Sequence, residues 1–111
     1  MSNVTFPWYP KELNPNWSGH WSTKAKQKAI YKDACYWLTK EAKVPSSSYT
    51  ELHLVFYKPN RRKMDIDNML ASMKSGIDGM CLAIGIDDNC FTKIVIEVHE
   101  DIGGFVKVEV K

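Results

Sequence analysis

Acidic residues cluster at two points in the second half of the chain, and a basic segment precedes the first of them. Residues 65–68 read Asp-Ile-Asp-Asn, residues 87–88 are both aspartate, and residues 58–63 read Lys-Pro-Asn-Arg-Arg-Lys. Carboxylates bind hard divalent cations, whereas lysine and arginine bind phosphate groups. Acids beside cations in this order therefore favour metal-assisted chemistry on a nucleic acid.

Each acidic cluster also has a purely structural interpretation. Asp65 and Asp67 point to the same side only if the backbone is extended across residues 65–67, because a helix would splay them by about 200°. Otherwise Asp67 caps a helix and Asp65 is its solvated neighbour. Residues 87–89, Asp-Asp-Asn, are equally typical of a turn. The residues alone leave these alternatives open.

The hydrophobic pattern predicts the elements that must position these acids. We expect an edge strand at 4–8, a loop at 10–22, a helix from Ser22-Thr23 to Lys43, a strand at 50–57, a second helix from Asn68 to Ile84, and strands at 91–100 and 105–111. The last two strands are predicted to form an antiparallel hairpin, with Val106, Val108 and Val110 facing inward. The order β-α-β-α-β-β predicts a single small α+β domain over residues 1–111, with two helices and a mixed or antiparallel sheet.

Three side-chain patterns on the first helix and its preceding loop bear on function. The apolar face of the first helix is predicted to be Ala29, Ile30, Ala34, Trp37, Leu38 and Ala42. A row of lysines at 24, 28 and 32 either follows a phosphate backbone or is a solvated face. Trp17 and Trp21, on the loop, could stack on bases, although covering the rim of the core is the interpretation we favour.

Composition and charge narrow the class of protein. The 111 residues carry a net charge of +2, but residues 1–64 hold 11 Lys/Arg and 4 Asp/Glu whereas residues 65–111 hold 4 and 9. A basic half and an acidic half suit a metal-dependent nuclease, and equally suit solvated helix faces. The three cysteines have no metal-site spacing, and two of them lie in apolar patterns, which indicates reduced core residues in a cytoplasmic protein. With neither a signal peptide nor a long apolar run, we expect no membrane association.

Taken together, the motifs resemble those of RusA-type Holliday-junction resolvases. The shared order is residues 7–10 (Pro-Trp-Tyr-Pro), 15–16, the basic run 61–63, 65–70 (Asp-Ile-Asp-Asn-Met-Leu) and 85–88 (Gly-Ile-Asp-Asp), and the similarity is strongest over 58–97. That resemblance implies a homodimeric, Mg²⁺-dependent endonuclease that cuts four-way DNA junctions in recombination and repair.

The resemblance also implies roles for individual residues. Asp65, Asp67 and Asp88 would be the catalytic, metal-binding aspartates, with Asp87 alongside. The DNA-binding residues would be Lys58, Arg61, Arg62, Lys63 and Asn68. The chain departs from the family pattern where a catalytic lysine is expected four residues after the second aspartate, because that position is Ala71. Lys74 lies within about 20° of Asp67 around a helix axis, so a side chain reaching back toward the amino end makes it the candidate substitute.

The predicted length of the second helix suggests that two chains share each site. A 17-residue helix is about 25 Å long, and the four residues that follow it span at most about 14 Å. The connection within one chain is therefore too short to bring Asp88 back to Asp65 unless Gly76 or Gly79 breaks the helix. In a two-fold dimer with antiparallel helices, each helix start meets the partner's helix end. A stripe of small residues would permit that packing: Ser72, Gly76, Gly79 and Ala83.

Two other functions compete with a nuclease. A protein that binds branched DNA without cutting it would explain the missing lysine. A small structural or interaction protein would use the same acids as helix caps and turns. Cleavage with Mg²⁺ distinguishes the first from a nuclease, and DNA binding at low salt distinguishes the second.

Overall fold

The computed structural model describes residues 2–111, which form a four-stranded mixed sheet and three α-helices. The strands are β1 (Ser2–Pro7), β2 (Glu51–Tyr57), β3 (Lys93–Val98) and β4 (Phe105–Val110), and the helices are α1 (Trp21–Glu41), α2 (Ile66–Ser72) and α3 (Lys74–Ile84). Short 3₁₀ turns span Lys11–Leu13 and Asp88–Cys90. The predicted α+β class and mixed sheet are confirmed, but the helix count is three rather than two.

The predicted hairpin of the last two strands is wrong. The sheet order is β1-β4-β2-β3, so β4 lies between β1 and β2 and is antiparallel to both, whereas β3 pairs in parallel with β2 at the edge. The alternation of β4 was read correctly, since Val106, Val108 and Val110 are buried. Alternation shows which face of a strand is buried, but it does not specify the neighbouring strands.

One face of the sheet carries the core and the other is open. Phe6, Leu54, Phe56 and Val108 are buried beneath the helices. On the opposite face, polar side chains such as Lys107 stand in solvent. Because α2 and α3 connect the parallel strands β2 and β3, the residues before α2 follow the end of β2 and the residues after α3 precede the start of β3, at opposite ends of the paired strands.

The buried face of α1 differs from the predicted one. Tyr31, Cys35 and Thr39 are buried, whereas Ile30 and Trp37 are 51% and 60% exposed. The reason lies in the partner helix, since α3 offers glycines where α1 approaches. A Cβ atom added at Gly76 would lie 2.7 Å from the Tyr31 ring.

The stripe of small residues on α3 packs against α1 of the same chain. A Cβ atom at Gly79 would lie 2.2 Å from the Lys32 carbonyl oxygen, so only glycine permits this approach of the two backbones. The stripe is therefore covered and does not offer the dimer surface that the sequence suggested.

A kink at Met73 divides the predicted second helix into α2 and α3. The Ser72 hydroxyl donates a hydrogen bond to the Asn68 carbonyl at 2.7 Å, and the Met73 N–H bonds to Leu70, three residues back. Side-chain bonding of this kind is known to bend helices. The glycines are not responsible for the break. The predicted end of the helix at Ile84 is confirmed, with Gly85 in the left-handed conformation.

No helix within residues 2–111 combines the length and apolar composition needed to cross a membrane. Cys35 and Cys81 are buried, Cys90 is half-buried, and all three are free thiols.

Candidate functional site

Asp65 and Asp67 lie at the amino end of α2, but not in the expected extended arrangement. The helix begins at Ile66, because the Met69 N–H already bonds to the Asp65 carbonyl at 3.0 Å. Asp65 is the N-cap residue with extended backbone angles, and Asp67 is the second residue of the helix. Extended backbone through residue 67, one of the two alternatives, is therefore excluded, and in the other alternative the cap is Asp65 rather than Asp67.

A small polar hollow surrounds Asp65. It has a volume of about 170 Å³ and is lined by Tyr9, Asn14, Asn16, Lys63, Met64, Asp65, Asn68 and Met69. The Asn68 amide lies 3.5 Å from the Asp65 carboxylate. The hollow thus brings together residues that the sequence analysis had assigned to metal and DNA, along with the loop around Pro15-Asn16.

Asp88, in the 3₁₀ turn that follows α3, belongs to a second group of charged side chains. The Lys74 ammonium donates to Asp88 at 2.5 Å and to Asp78 at 2.6 Å. Both partners of Lys74 come from later in the chain, Asp78 from α3 and Asp88 from the 3₁₀ turn that follows it. Lys74 therefore extends away from Asp67, opposite to the direction expected from the sequence.

The two neighbouring aspartates at 87 and 88 have different roles. The Asp87 carboxylate accepts the Asn89 backbone N–H at 3.1 Å and so caps the 3₁₀ turn. The turn interpretation of this pair therefore holds for Asp87. Asp88 instead points its carboxylate at Lys74.

The charges of this group stabilise one another. The hydrogen bond from Lys74 lowers the pKa of Asp88 below its usual value. Hydrogen bonds to Asp78 and then to Asp88 raise the pKa of Lys74 above its usual value. At neutral pH the Asp88 carboxylate and the Lys74 ammonium are thus both in their charged forms.

These charges line a cleft of about 650 Å³, here called the acid–lysine cleft. Its polar lining includes Lys24, Lys28, Lys74, Ser75, Asp78 and Asp88, and its apolar lining includes Leu52, Leu70, Ile77, Phe91 and Ile94. Lys24 and Lys28 come from α1, so the first two members of the predicted lysine row do face the acids. Lys32 instead lines a separate hollow with Trp37 and Leu82.

The metal-binding groups are not assembled within one chain. Among residues 2–111, no three side chains of Asp, Glu, His or Cys are close enough together to hold a metal ion. Asp65 and Asp88 line different hollows. Asp78 and Asp88 both direct an oxygen at one cationic atom, the Lys74 nitrogen, so in this structure an ammonium is the cation that these two carboxylates bind.

The basic run before α2 divides between two surfaces. Lys58 donates to the Arg62 carbonyl at 2.9 Å and, with Arg61, lines a hollow that also contains His99. Lys63 lies on the other side, in the hollow around Asp65. The basic run therefore places positive charges in two separate hollows on the segment that precedes α2.

Sequence reasoning missed Asp78, which contributes half of the contacts to Lys74. The available signal was its spacing, because Asp78 follows Lys74 by four residues and such helical pairs interact. Reasoning also missed that Trp21 is 76% exposed and so does not cover the core rim, whereas Trp17 is half-buried.

Comparison with known proteins gives a relative without an assigned activity. The chain is 34% identical, over 96 residues, to an uncharacterized protein of Xylella fastidiosa. The match covers 82% of this chain and 63% of that relative, so the chain spans less than two thirds of the relative's length. No family model matches the chain.

Proposed function

We propose that this protein is a RusA-like, Mg²⁺-dependent endodeoxyribonuclease that resolves four-way DNA junctions by paired phosphodiester hydrolysis. The observation that carries the proposal is the acid–lysine cleft, in which Asp88 and Lys74 are in contact and two further lysines, Lys24 and Lys28, line the same space. An ionised carboxylate, an ammonium and phosphate-binding cations in one cleft are what phosphodiester hydrolysis requires.

In this proposal the carboxylates of Asp65, Asp67 and Asp88 hold Mg²⁺, with Asp87 alongside. The bound ion would supply Lewis-acid stabilisation of the phosphodiester under attack by water. The ammonium of Lys74 lies close enough to Asp88 to stabilise negative charge that develops at the same phosphate. Lys74 thereby takes the role of the family lysine, whose position is occupied by Ala71.

Phosphates on either side of the cut are proposed to bind to the surrounding cations. Lys24 and Lys28 are available inside the cleft, and Lys63 and Asn68 lie beside Asp65. Lys58, Arg61 and Arg62 continue the basic surface beyond them. Binding through these residues should weaken steeply as salt concentration rises.

A homodimer with sites shared between chains remains our proposal for how the aspartates meet. The kink at Met73 does not gather them within one chain, as the separate hollows of Asp65 and Asp88 indicate. Apolar side chains are exposed at both halves of the proposed site, Ile66 (53% exposed) beside Asp65 and Ile94 (48%) in the acid–lysine cleft. Two-fold packing of the start of α2 against the partner's cleft would cover both.

A second candidate is a protein that binds branched DNA without cleaving it. Ala71 favours it, as does the engagement of Lys74 by Asp78 in addition to Asp88. Both candidates predict junction binding, and they differ only in Mg²⁺-dependent cleavage.

The Asp67→Asn variant tests the proposal with a single change of charge. Its carboxylate is exposed, so folding should be unaffected. We expect the variant to bind a synthetic four-way junction about as well as the wild type but to cut it undetectably. Full activity of the variant would eliminate the proposed metal site, and absence of cleavage by the wild type would favour the second candidate.

A further inference from the structure

Trp21, the first residue of α1, is a large aromatic side chain in solvent. It is 76% exposed, the highest value among the large hydrophobic side chains found exposed in residues 2–111. Burial of an indole normally contributes strongly to stability, so an exposed one is a candidate contact for a ligand.

The neighbouring His20 holds the indole in place. The His20 ring stacks on Trp21 with 5.6 Å between ring centroids and 29° between planes. His20 is also the N-cap of α1, since its Nδ1 accepts the Ser22 backbone N–H at 3.1 Å and lies 2.6 Å from the Ser22 hydroxyl. Capping by an imidazole therefore orients the ring that supports Trp21, and the indole is positioned before any ligand binds.

Trp21 extends the face of α1 that lines the acid–lysine cleft. Residues seven apart on a helix differ by about 20° around its axis, so Trp21 and Lys28 lie on the same face, with Lys24 about 60° to one side. Lys24 also donates to the Asn14 carbonyl at 3.2 Å, which ties the preceding loop to this end of α1. The aromatic ring thus lies at the amino end of the helix face that carries Lys24 and Lys28.

We infer that Trp21 is a stacking platform for a nucleobase exposed at the branch point of the DNA, whose flanking phosphates bind Lys24 and Lys28. The inference rests on the proposed function, because it names how the same cleft would recognise branched rather than linear DNA. A ring with one supported face and one open face fits a flat π-system, and base–aromatic stacking is tolerant of sequence. Linear duplex presents no unstacked base, so Trp21 contributes to binding only at branches.

The test uses Trp21→Ala, with Trp37→Ala as the matched control. Trp37 is 60% exposed on the same helix but lines a different hollow, which does not include Asp78 or Asp88. Affinity is measured in EDTA, for a four-way junction with 2-aminopurine at the branch point and for linear duplex of the same sequence. Circular dichroism establishes that both variants are folded.

We expect Trp21→Ala to bind the junction about tenfold more weakly, a typical effect of losing one stacked base. Its affinity for the duplex should not change. Binding of this variant should no longer quench the 2-aminopurine fluorescence. Trp21→Phe should recover most of the junction affinity and most of the quenching. Equal junction affinity of Trp21→Ala and Trp37→Ala would overturn the inference and leave the proposed nuclease intact. If the wild type does not bind the junction, both the inference and the proposed function fail.

Discussion

The Lys74 nitrogen lies 2.5 Å from a carboxylate oxygen of Asp88, joining the start of α3 to the turn that follows its end. These residues are 14 positions apart, and all of α3 after Lys74 lies between them in the sequence. Lys74 is 60% exposed, so the pair contributes little to stability. Its value in our account is chemical, because it fixes a positive charge next to a carboxylate proposed to bind Mg²⁺.

Replacing Lys74 should slow cleavage without weakening binding. Loss of one group that stabilises transition-state charge typically reduces the rate about 10²–10³-fold. We expect that range for Lys74→Ala in single-turnover cleavage of a four-way junction, with Lys26→Ala, an exposed lysine outside the acid–lysine cleft, as the control. Adding Ala71→Lys, which restores the lysine of the family pattern, should recover part of the loss. Unchanged cleavage by Lys74→Ala would remove Lys74 from the mechanism.

Mixing two inactive variants tests whether the sites are shared between chains. If Asp67 of one chain works with Asp88 of the other, a dimer of one Asp67→Asn chain and one Asp88→Asn chain contains one intact site. Random mixing should then restore about a quarter of the wild-type sites, measured as single nicks in the junction.

The control for this experiment mixes Asp65→Asn with Asp67→Asn, a combination that damages both shared sites and should remain inactive. Sites confined to one chain predict no recovery in either mixture. Sedimentation of the wild type establishes that two chains associate.

Gly79→Ala should destabilise the fold because the new methyl group would meet the Lys32 carbonyl at the contact between α1 and α3. Overpacking against backbone costs about 1–3 kcal/mol, which exceeds the gain in helix propensity from replacing glycine. Urea unfolding should show this decrease. The control is Leu82→Ala, because the Leu82 side chain on the same helix is 62% exposed and its loss should change the free energy of unfolding by less than about 0.5 kcal/mol. Equal stability of Gly79→Ala and wild type would refute the described packing.

Alkaline pH should destabilise the protein through its buried thiols. Burial raises the pKa of Cys35 and of Cys81 to about 12, from an ordinary value of 9.0. The unfolded thiols lose their protons first, so the contribution of the two thiols to the free energy of unfolding is fully present below pH 9 and falls as the pH rises from 9 toward 12. Urea midpoints across this window measure the effect, and Cys81→Ala should show a smaller decrease than wild type. A stability that rises above pH 9 would contradict the assignment.

Features of the fold that depend on a single residue type or on the pattern of one strand could be predicted from the sequence. Gly85 ends α3 in a left-handed conformation, and the alternating valines of β4 face the core. Sheet order could not be predicted, because the alternation of β4 suits an antiparallel strand beside any neighbour. The buried face of α1 was misjudged for a similar reason, since Tyr31 is buried only because Gly76 of another helix leaves room for its ring.

The candidate site was predictable in its residue types but not in its geometry. The acids and the basic run were evident from their spacing, and that Lys74 substitutes for the family lysine stays a prediction. The direction of its side chain is set by its contacts with Asp78 and Asp88, neither of which the sequence analysis had paired with Lys74. The involvement of Lys24 and Lys28 depended on how α1 lies over α3, and their spacing alone was equally typical of a solvated face.

Cleavage of a labelled four-way junction by the purified wild-type protein, with Mg²⁺ or with EDTA, tests the central claim most directly. We expect symmetrical nicks in opposed strands with Mg²⁺, none with EDTA, and none in linear duplex under either condition. An intact junction after prolonged incubation with Mg²⁺, under conditions in which the protein is bound to it, would contradict the account.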